Sequence, residues 1–482
     1  MTEIRTRIAP SPTGEDLHIG NLYTALINWA FAKKNSGKFI VRIEDTDRER
    51  FVEGAEATIL ASIKAFNLNP DESPEVGGPY VPYRQSERLD LYKKYADELL
   101  EKDLAYKCYC SKEKLEQIRT EQTATRVKKM HREYCDPAST GEKFVIRLKV
   151  PINENITFND LVRGDITISS NELDDQVLLK SDNFPTYHLG VVVDDYLMKI
   201  SHIIRAEEWI SSTPKHALLY KAFGWELPIF VHLPILRNSD KSKLSKRKNP
   251  VWVTWYLKDG YLPEAILNFL ALMGWSHPEQ KEIFSIDEFI EKLDLKDFSP
   301  VGPAFDQVKL DWMNGEYIRK MSDEDLANRL ENYLKEIDQT SKNIPGTETL
   351  KKLVPLIKER IKKLSDFIPL TDFFFGKPEY DMSVFNKLKI EDKKAALEKV
   401  GEILATLPSP WKSEDFENAF KDLAKELTLS NLDMFQLIRA AVAGQLVTPP
   451  LFESIQILGE EEAKLRIIDA KKYIENPEEP KY

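Results

Sequence analysis

The stretch Arg7-Ile-Ala-Pro-Ser-Pro-Thr-Gly-Glu-Asp-Leu-His-Ile-Gly-Asn21 decides how this chain begins to fold. Charged and apolar residues alternate over residues 5–8, as they do in a strand whose two faces differ. Prolines and Gly14 then interrupt regular structure, and apolar residues recur at helical spacing over residues 22–32. The pattern predicts a strand, a loop and a helix, with His18-Ile-Gly20 at the start of the helix.

A helix start in this position suits a phosphate group. The first turn presents unpaired backbone N–H groups and the positive end of the helix dipole. Gly20 lets a ligand approach the backbone closely, and His18 can donate a hydrogen bond to an anionic oxygen. The motif predicts a nucleotide site, although on this evidence alone a surface turn with an exposed histidine explains it equally well.

A second stretch, far downstream, favours the nucleotide interpretation. Lys243-Leu-Ser-Lys-Arg247 lies inside a polar run that covers residues 237–249. Two lysines three residues apart on a loop suit the stabilisation of charge on a triphosphate as pyrophosphate leaves.

Together these stretches resemble the HIGH and KMSKS signatures of class I aminoacyl-tRNA synthetases. Further stretches make the chain similar to the bacterial glutamyl-tRNA synthetase family: Val41-Arg-Ile-Glu-Asp-Thr-Asp47, Pro82-Tyr-Arg-Gln-Ser86, Pro185-Thr-Tyr-His-Leu189, Val193-Asp-Asp195 and Ile204-Arg-Ala-Glu-Glu-Trp209. The resemblance is dense as far as residue 320 and weaker beyond it. One departure is Asn21, which replaces the last histidine of HIGH and can hydrogen-bond but cannot become a cation.

The order of apolar segments predicts an α/β fold, a Rossmann-type doubly wound parallel sheet. Strands are expected at residues 39–44, 187–193, 200–204 and 232–236, and at 143–150 and 165–169 in an insertion. The expected domains are 1–84 and 188–249 for the two halves of the catalytic fold, 85–187 for the inserted acceptor-end-binding domain, 250–320 for a helical stem-contact domain and 321–482 for an all-α anticodon-binding region. Strand signals are scarce after residue 321, which fits the glutamyl enzymes, because glutaminyl relatives end in β-barrels.

Composition indicates an ordinary globular protein, with 42% hydrophobic and 30% charged residues. The sequence has neither a run of apolar residues long enough to cross a membrane nor a signal-peptide pattern, so a cytoplasmic location is expected. A net charge of −11 is unusual for a nucleic-acid binder. Basic density nevertheless rises at residues 119–132, 237–248 and 351–363, either as local RNA-binding tracks or as solvated faces.

The three cysteines are too few for a disulfide framework. Cys108 and Cys110 flank one residue, and His131 and Cys135 follow a charged helical segment. Four such donors are enough for one closed tetrahedral zinc site, a possible zinc knuckle over residues 108–135, and the resemblance implies the same option. Reduced thiols without a metal are the alternative.

The resemblance also implies the site residues, each matched to its position in the motifs. Those implied for ATP are Pro10, His18, Gly20, Asn21, Lys243, Ser245 and Lys246, with His18, Lys243 and Lys246 as the catalytic group. Those implied for glutamate are Arg7, Ser11, Glu44, Tyr187 and Arg205, and those for the tRNA 3′ end are Asp45, Asp47 and Arg48. Mg²⁺ is expected to arrive with ATP, held by phosphate oxygens and water.

The implied activity is ATP-dependent ligation of L-glutamate to tRNA(Glu), through a glutamyl-adenylate and then transfer to the 3′-terminal adenosine, by a monomer. Arg205 is the residue expected to distinguish glutamate from glutamine, unless it only pairs with Glu207 or Glu208. Two other functions are open: a nucleotidyltransferase acting on a small molecule, and a non-catalytic RNA-binding paralogue. Charging of tRNA(Gln) and the residues that read the anticodon are open too, with Arg360 as one candidate.

Overall fold

The computed structural model describes residues 3–125, 130–136, 138–238, 240, 242, 244, 250–337 and 345–477. The chain divides into two compact units, which are described separately. The first unit comprises Met1–Tyr256 and Pro263–Leu310, and the second comprises Leu257–Leu262 and Asp311–Tyr482.

All strands of the described residues lie in the first unit. They are β1 (Arg5–Ile8), β2 (Lys38–Val41), β3 (Ala105–Cys108), β4 (Val145–Leu148), β5 (Asn155–Asp160), β6 (Gly164–Ser169), β7 (Val177–Leu179), β8 (His202–Ala206) and β9 (Ile229–Leu233).

The strands that end at the predicted nucleotide site form two parallel pairs, together called the main sheet. β1 pairs in parallel with β2, from Arg5 opposite Lys38 onwards, and β8 pairs in parallel with β9. The backbone N–H of Ser201 donates to the carbonyl of Arg5 at 3.0 Å, which brings the start of β8 beside β1. β5 continues the sheet in parallel with β9, and β6 pairs antiparallel with β5. The predicted α/β class is confirmed, with a parallel centre and an antiparallel hairpin at one edge.

A small antiparallel sheet lies within the predicted insertion, residues 85–187. β4 is its middle strand, with β3 on one side and β7 on the other. β5 and β6 belong to the same stretch of sequence but join the main sheet. The boundaries of the insertion remain a prediction.

Ten α-helices of the described residues lie wholly or partly in the first unit. They are Ile19–Lys34, Ala55–Ala65, Leu89–Glu101, Lys112–Thr125, Tyr187–Leu197, Thr213–Phe223, Val253–Lys258, Pro263–Ala271, Ile286–Lys292 and Gln307–Lys320. The division between the two units falls inside Val253–Lys258 and Gln307–Lys320. Ile19–Lys34 buries Leu22, Leu26 and Ala30 completely, because apolar residues at this spacing share one helical face.

Two of the predicted strands need correction. The stretch 187–193, predicted as a strand from its run of three valines, is part of the helix Tyr187–Leu197. Residues from Leu189 to Asp195 are buried there, so the burial of both helix faces outweighed the strand preference of valine. The strand predicted at 232–236 lies at Ile229–Leu233. Pro234 follows it and has no N–H to extend the ladder.

The regular secondary structure in the described residues of the second unit is all helical, as predicted. Its helices are Asp323–Ile337, Thr347–Ile357, Phe367–Thr371, Met382–Asn386, Lys393–Thr406, Ser413–Glu426, Asn431–Ala443, Leu451–Leu458 and Glu460–Glu475. The last five share one core, in which Leu397, Phe420, Leu437 and Ile467 are buried. No helix in the described part of the chain is long and apolar enough to cross a membrane.

Candidate active site

A cavity of about 880 Å³ opens at the carboxyl ends of β1, β8 and β9. Ligands of doubly wound folds bind at this edge of the sheet. Most of the predicted site residues line the cavity: Arg7, Pro10, Ser11, His18, Gly20, Asn21, Glu44, Asp47, Arg48, Tyr187 and Arg205.

The remaining predicted site residues lie elsewhere or cannot be placed. The carboxylate of Asp45 accepts hydrogen bonds from the backbone N–H and the hydroxyl of Ser86, at 2.8 and 2.5 Å, and does not line the cavity. Lys243, Ser245 and Lys246 lie outside the described residues. Their neighbour Leu244 is described, is buried and lines the cavity.

The helix that faces the cavity begins as the sequence predicted. His18 is the N-cap residue of Ile19–Lys34, and its Nδ1 accepts a hydrogen bond from the backbone N–H of Gly20 at 3.0 Å. A neutral imidazole that accepts at Nδ1 carries its proton on Nε2. A Cβ at position 20 would lie 3.2 Å from His18 Nδ1, so a side chain there would crowd the cap.

The two motifs predicted to handle nucleotide are joined by backbone hydrogen bonds. Downstream of the basic loop, the N–H of Ile19 donates to the carbonyl of Val251 at 2.7 Å, and the N–H of Val253 donates to the carbonyl of Leu17 at 3.1 Å. Upstream, the N–H of Leu244 donates to the carbonyl of Leu236 at 3.2 Å. The segment that follows the basic loop therefore lies beside the helix start.

Asp16 strengthens this junction, and no pattern in the sequence pointed to it. Its buried carboxylate accepts hydrogen bonds from the backbone N–H of Thr254 at 2.9 Å and from the Thr254 hydroxyl at 2.7 Å. The hydroxyl of Ser62 donates to the other oxygen at 2.7 Å. One carboxylate thus ties together the glycine-containing loop, the second helix and the segment that follows the basic loop.

A buried charge network supports one wall of the cavity. Asp195 accepts two hydrogen bonds from Arg7, at 3.0 and 3.1 Å, and one from Arg42 at 2.8 Å. Arg42 also donates to Glu44 at 3.1 Å. The charge of Arg7 is therefore already paired inside the protein, and Arg42 and Asp195 are supporting residues that sequence reasoning missed.

Glu44 is buried at the end of this network. Burial raises the pKa of its carboxyl group to about 7, because Arg42 and Arg7 offset only part of the desolvation. A cation placed beside Glu44 would therefore stabilise the carboxylate form.

Arg205 is a second arginine that lines the cavity, and all its hydrogen-bond partners are neutral. Its guanidinium donates to Thr213 Oγ1 at 2.7 Å, to the Tyr187 hydroxyl at 3.1 Å and to His232 Nε2 at 3.1 Å. Its Nη1 also lies 3.2 Å from His216 Nδ1. Only 5% of Arg205 is exposed, and burial lowers the pKa of its guanidinium.

The alternative in which Arg205 pairs with a neighbouring glutamate is wrong for Glu207. That carboxylate binds Arg163 at 2.6 Å and Arg237 at 3.1 Å instead. Glu208 forms no ion pair with Arg205 either, and none of the described carboxylates lies within ion-pair distance of this guanidinium. Arg205 is a buried positive charge that lines a cavity and forms no direct ion pair with a carboxylate in the described part of the chain.

The four predicted metal ligands come together beside the small antiparallel sheet. One donor atom from each of Cys108, Cys110, His131 and Cys135 lies within 4.8 Å of the others. Burial alone would raise the pKa of Cys108, but hydrogen bonds with His131, the backbone of Cys110 and Arg147 together lower that pKa to about 6. Three thiols and one imidazole in this arrangement match the donor set of a closed tetrahedral zinc site.

Comparison with known proteins supports the same family for the whole chain. Residues 3–312 match the family described as tRNA synthetases class I (E and Q), catalytic domain, and residues 325–471 match the anticodon binding domain family. The glutamate–tRNA ligase of Dehalococcoides mccartyi strain CBDB1 is 44% identical over 471 residues, which cover 96% of each chain. The chain belongs to the glutamate–tRNA ligase family.

Other glutamate–tRNA ligases agree. An enzyme of Thermus thermophilus is 46% identical over 466 residues, covering 96% of this chain and 98% of the relative. The crystal structure of a glutamate tRNA ligase from Elizabethkingia meningosepticum in complex with its amino acid superimposes with a TM-score of 0.84 at 36% identity. It covers 98% of this chain, and this chain covers 99% of it. The similarity to glutamate–tRNA ligases therefore includes both units.

Proposed function

We propose that the protein joins L-glutamate to tRNA(Glu) in two ATP-dependent steps, first as a glutamyl-adenylate and then by transfer to the 3′-terminal adenosine. The observation that carries the substrate assignment is Arg205, a buried guanidinium in the cavity without a described carboxylate partner. A buried charge of this kind is costly unless an anion pairs with it. The γ-carboxylate of glutamate supplies that anion.

The rest of the cavity suits the other groups of glutamate. Glu44 is assigned to the α-amino group, whose positive charge stabilises the carboxylate form of this side chain. Tyr187 hydrogen-bonds Arg205 and is assigned to the same carboxylate. Ser11 and Arg7 line the cavity and complete the set, and Arg7 acts as a weaker anion partner because it is shared with Asp195.

ATP is assigned to the helix start. His18 Nε2 and the backbone N–H groups around Gly20 and Asn21 would hold phosphate oxygens, with Pro10 shaping the wall. Lys243, Ser245 and Lys246 are assigned to the departing pyrophosphate, with Mg²⁺ carried by the nucleotide. Activation then requires mainly the alignment of the substrate carboxylate with the α-phosphate rather than an acid–base pair.

The tRNA is assigned to two surfaces, one in each unit. Asp47 and Arg48 line the cavity, whereas Asp45 binds Ser86, and all three are proposed to meet the 3′ end. In the second unit, Lys351, Lys358 and Lys363 form ion pairs with acidic residues. Arg360 has no ion pair with a described residue. Burial lowers the pKa of the half-buried Arg439, and the nearby charge of Arg360 lowers it further. This pair of arginines is proposed to contact the anticodon loop.

The metal, the location and the oligomeric state are assigned from the resemblance to the family. Zn²⁺ is assigned to Cys108, Cys110, His131 and Cys135, where it would cross-link the small sheet to the segment before β4. The enzyme is assigned to the cytoplasm as a monomer. A nucleotidyltransferase that needs no tRNA is not favoured, because residues 325–471 match an anticodon binding domain.

The decisive experiment compares Arg205→Leu with Arg163→Leu. Arg163 is an ion-paired arginine near the site that does not line the cavity, so it is a matched control. We expect Arg205→Leu to raise the KM for glutamate by at least about 100-fold in tRNA(Glu) charging, with the KM for ATP changed by less than about threefold. Arg163→Leu should change both constants only slightly. An unchanged glutamate KM in Arg205→Leu would overturn the assignment.

A further inference from the structure

Four side chains around Arg205 have no role in the chemistry proposed above. Asp160, His216 and His232 are buried, and His188 is partly buried. Asp160 Oδ2 lies 2.7 Å from His232 Nδ1, and His232 Nε2 accepts from Arg205 Nε at 3.1 Å. On the other side, Arg205 Nη1 lies 3.2 Å from His216 Nδ1, and His216 Nε2 lies 3.1 Å from His188 Nδ1. The chain of contacts runs Asp160, His232, Arg205, His216, His188.

The first half of this chain fixes the proton of His232. A carboxylate only accepts hydrogen bonds, so the proton of His232 must be on Nδ1, which donates to Asp160. Nε2 is then an acceptor and faces Arg205 Nε. The backbone N–H groups of Val162, Arg163 and His232 also donate to the Asp160 carboxylate and hold it in place.

The second half fixes His216 in the opposite tautomer. Arg205 only donates, so His216 must accept at Nδ1 and carry its proton on Nε2. That proton is donated to His188 Nδ1. Arg205 is therefore held between two histidines of opposite tautomer, while Thr213 Oγ1 accepts from its Nη2.

We propose that His232 and His216 are positioning residues for glutamate specificity, held in opposite tautomers so that each accepts a hydrogen bond from Arg205. Asp160 accepts the ring proton of His232, and His188 accepts that of His216. The inference rests on the proposed role of Arg205. The acceptors fix the plane of the guanidinium without neutralising its charge. A carboxylate in place of either histidine would compete with the substrate, whereas a neutral imidazole orients Arg205 and leaves its charge for the γ-carboxylate.

Burial supports the neutral state that this arrangement requires. It lowers the pKa of His232 to about 4 in spite of Asp160, and that of His188 to about 3. Burial and the charge of Arg205 also lower the pKa of His216. All three rings are therefore neutral at physiological pH, and each has a lone pair to offer.

The two tautomers make opposite predictions for amide substitutions. Asparagine can place an oxygen where a histidine has Nδ1, whereas glutamine can place one where it has Nε2. His232→Gln and His216→Asn therefore keep the acceptor that faces Arg205, and His232→Asn and His216→Gln remove it. We expect the first pair to keep the KM for glutamate within about threefold and the second pair to raise it by about 10- to 100-fold.

Side chains that only fill space would not produce this reversal. The same KM for both amides at a position, with Arg205→Leu still defective, would overturn the inference and leave the proposed function standing. An unchanged KM for glutamate in Arg205→Leu would overturn the proposed role of Arg205, on which the inference rests. The KM for ATP and the melting temperature, measured on all four variants, separate glutamate positioning from general damage.

A second measurement needs no substitution. The ¹⁵N chemical shifts of the seven histidines distinguish protonated from unprotonated ring nitrogens. We expect His232 to be protonated on Nδ1 and His216 on Nε2. The same tautomer at both residues would overturn the inference even if a variant failed to fold.

Discussion

The burial of Glu44 affects the proposed binding of glutamate. Its carboxyl group is enclosed beside Arg42 and titrates near neutrality, because desolvation outweighs the nearby positive charges. In the free enzyme the side chain is partly protonated at pH 7. The α-amino group of the substrate needs the carboxylate form, so glutamate binding and deprotonation of Glu44 are linked.

This linkage predicts a pH-dependent affinity for glutamate. Below a pKa of about 7, the protonated form of Glu44 dominates, so the KM for glutamate should rise about tenfold for each pH unit below 6. Steady-state charging between pH 5.5 and 8.5 measures this change. Glu44→Gln should have a high KM that does not vary over the same range. A wild-type KM that stays flat down to pH 5.5 would contradict the assignment of Glu44.

The same pKa shift predicts that the folded state loses stability as pH rises, whereas the affinity for glutamate increases. A carboxyl group whose pKa rises from 4.5 to about 7 on folding favours the folded state only while protonated. The cost of its ionisation is absent below pH 4.5, grows between pH 4.5 and 7 and is complete above pH 7. Glu44→Gln should therefore be more stable than wild type by about 1–3 kcal/mol at pH 8 and equal to it at pH 4.5 in urea titrations.

At the scale of elements, the junction around Asp16 couples the helix start to the basic loop. Its carboxylate joins Thr254, directly after that loop, and Ser62 in another helix. Because both contacts are hydrogen bonds to the same buried carboxylate, they offer a matched pair of substitutions. One lies on the side of the loop, and the other does not.

Thr254→Val and Ser62→Ala should therefore differ in activity but not in stability. Each loses one hydrogen bond to a buried carboxylate, so each should lower the free energy of unfolding by about 1–3 kcal/mol. Only Thr254→Val should raise the KM for ATP, because it loosens the anchor of the basic loop. Denaturant titration and ATP kinetics test the pair. Equal ATP constants would show that the anchor has no role in nucleotide binding.

The cysteine cluster predicts a property of the small sheet. Elemental analysis of protein purified without chelator should find one zinc per chain in the wild type and in Ser111→Ala, and none in Cys110→Ser. The proposed metal would cross-link the two ends of the segment between β3 and β4, so Cys110→Ser should also lower the melting temperature. A wild-type protein that is free of zinc after dialysis against zinc salts would exclude the site.

Elements also show what a sequence can and cannot give. The helix that begins after His18 was predictable because a cap, a glycine and an apolar face agree locally. The helix Tyr187–Leu197 was not, because its three valines favour a strand and only tertiary burial decides otherwise. Similarly, motifs located Arg205 and Glu44, but the links from Arg42 to Asp195 and from His232 to Asp160 join residues distant in sequence. Such pairs leave no local pattern.

For the whole molecule, the division into units is not a single cut in the chain. Residues 257–262 lie in sequence within the first unit but pack with the second. The N–H of Leu262 donates to Asn314 Oδ1 at 2.8 Å, and the N–H of Leu364 donates to the carbonyl of Gly260 at 2.9 Å. Tyr261 and Leu262 are buried.

A fragment that ends at Leu310 should therefore be locally disordered at residues 257–262. It keeps residues 257–262 and loses their partners, so Tyr261 and Leu262 become exposed. Limited proteolysis with chymotrypsin should cut this segment in the fragment and spare it in the full chain. Tyr261→Ser in the fragment should suppress the cut. Resistance of the unmodified fragment would show that the segment is ordered without the second unit.

The six-residue segment 257–262 also limits which recombination events can exchange the second unit between relatives. A recombination event that replaces everything after residue 310 with the corresponding region of a relative keeps the original residues 257–262, which must then pack against the helices of the relative. Two distant stretches of coding sequence must therefore be inherited together for an anticodon-binding region to be transplanted intact. Chimaeras that carry residues 257–262 from the donor along with its helical region should be the ones that fold and charge tRNA.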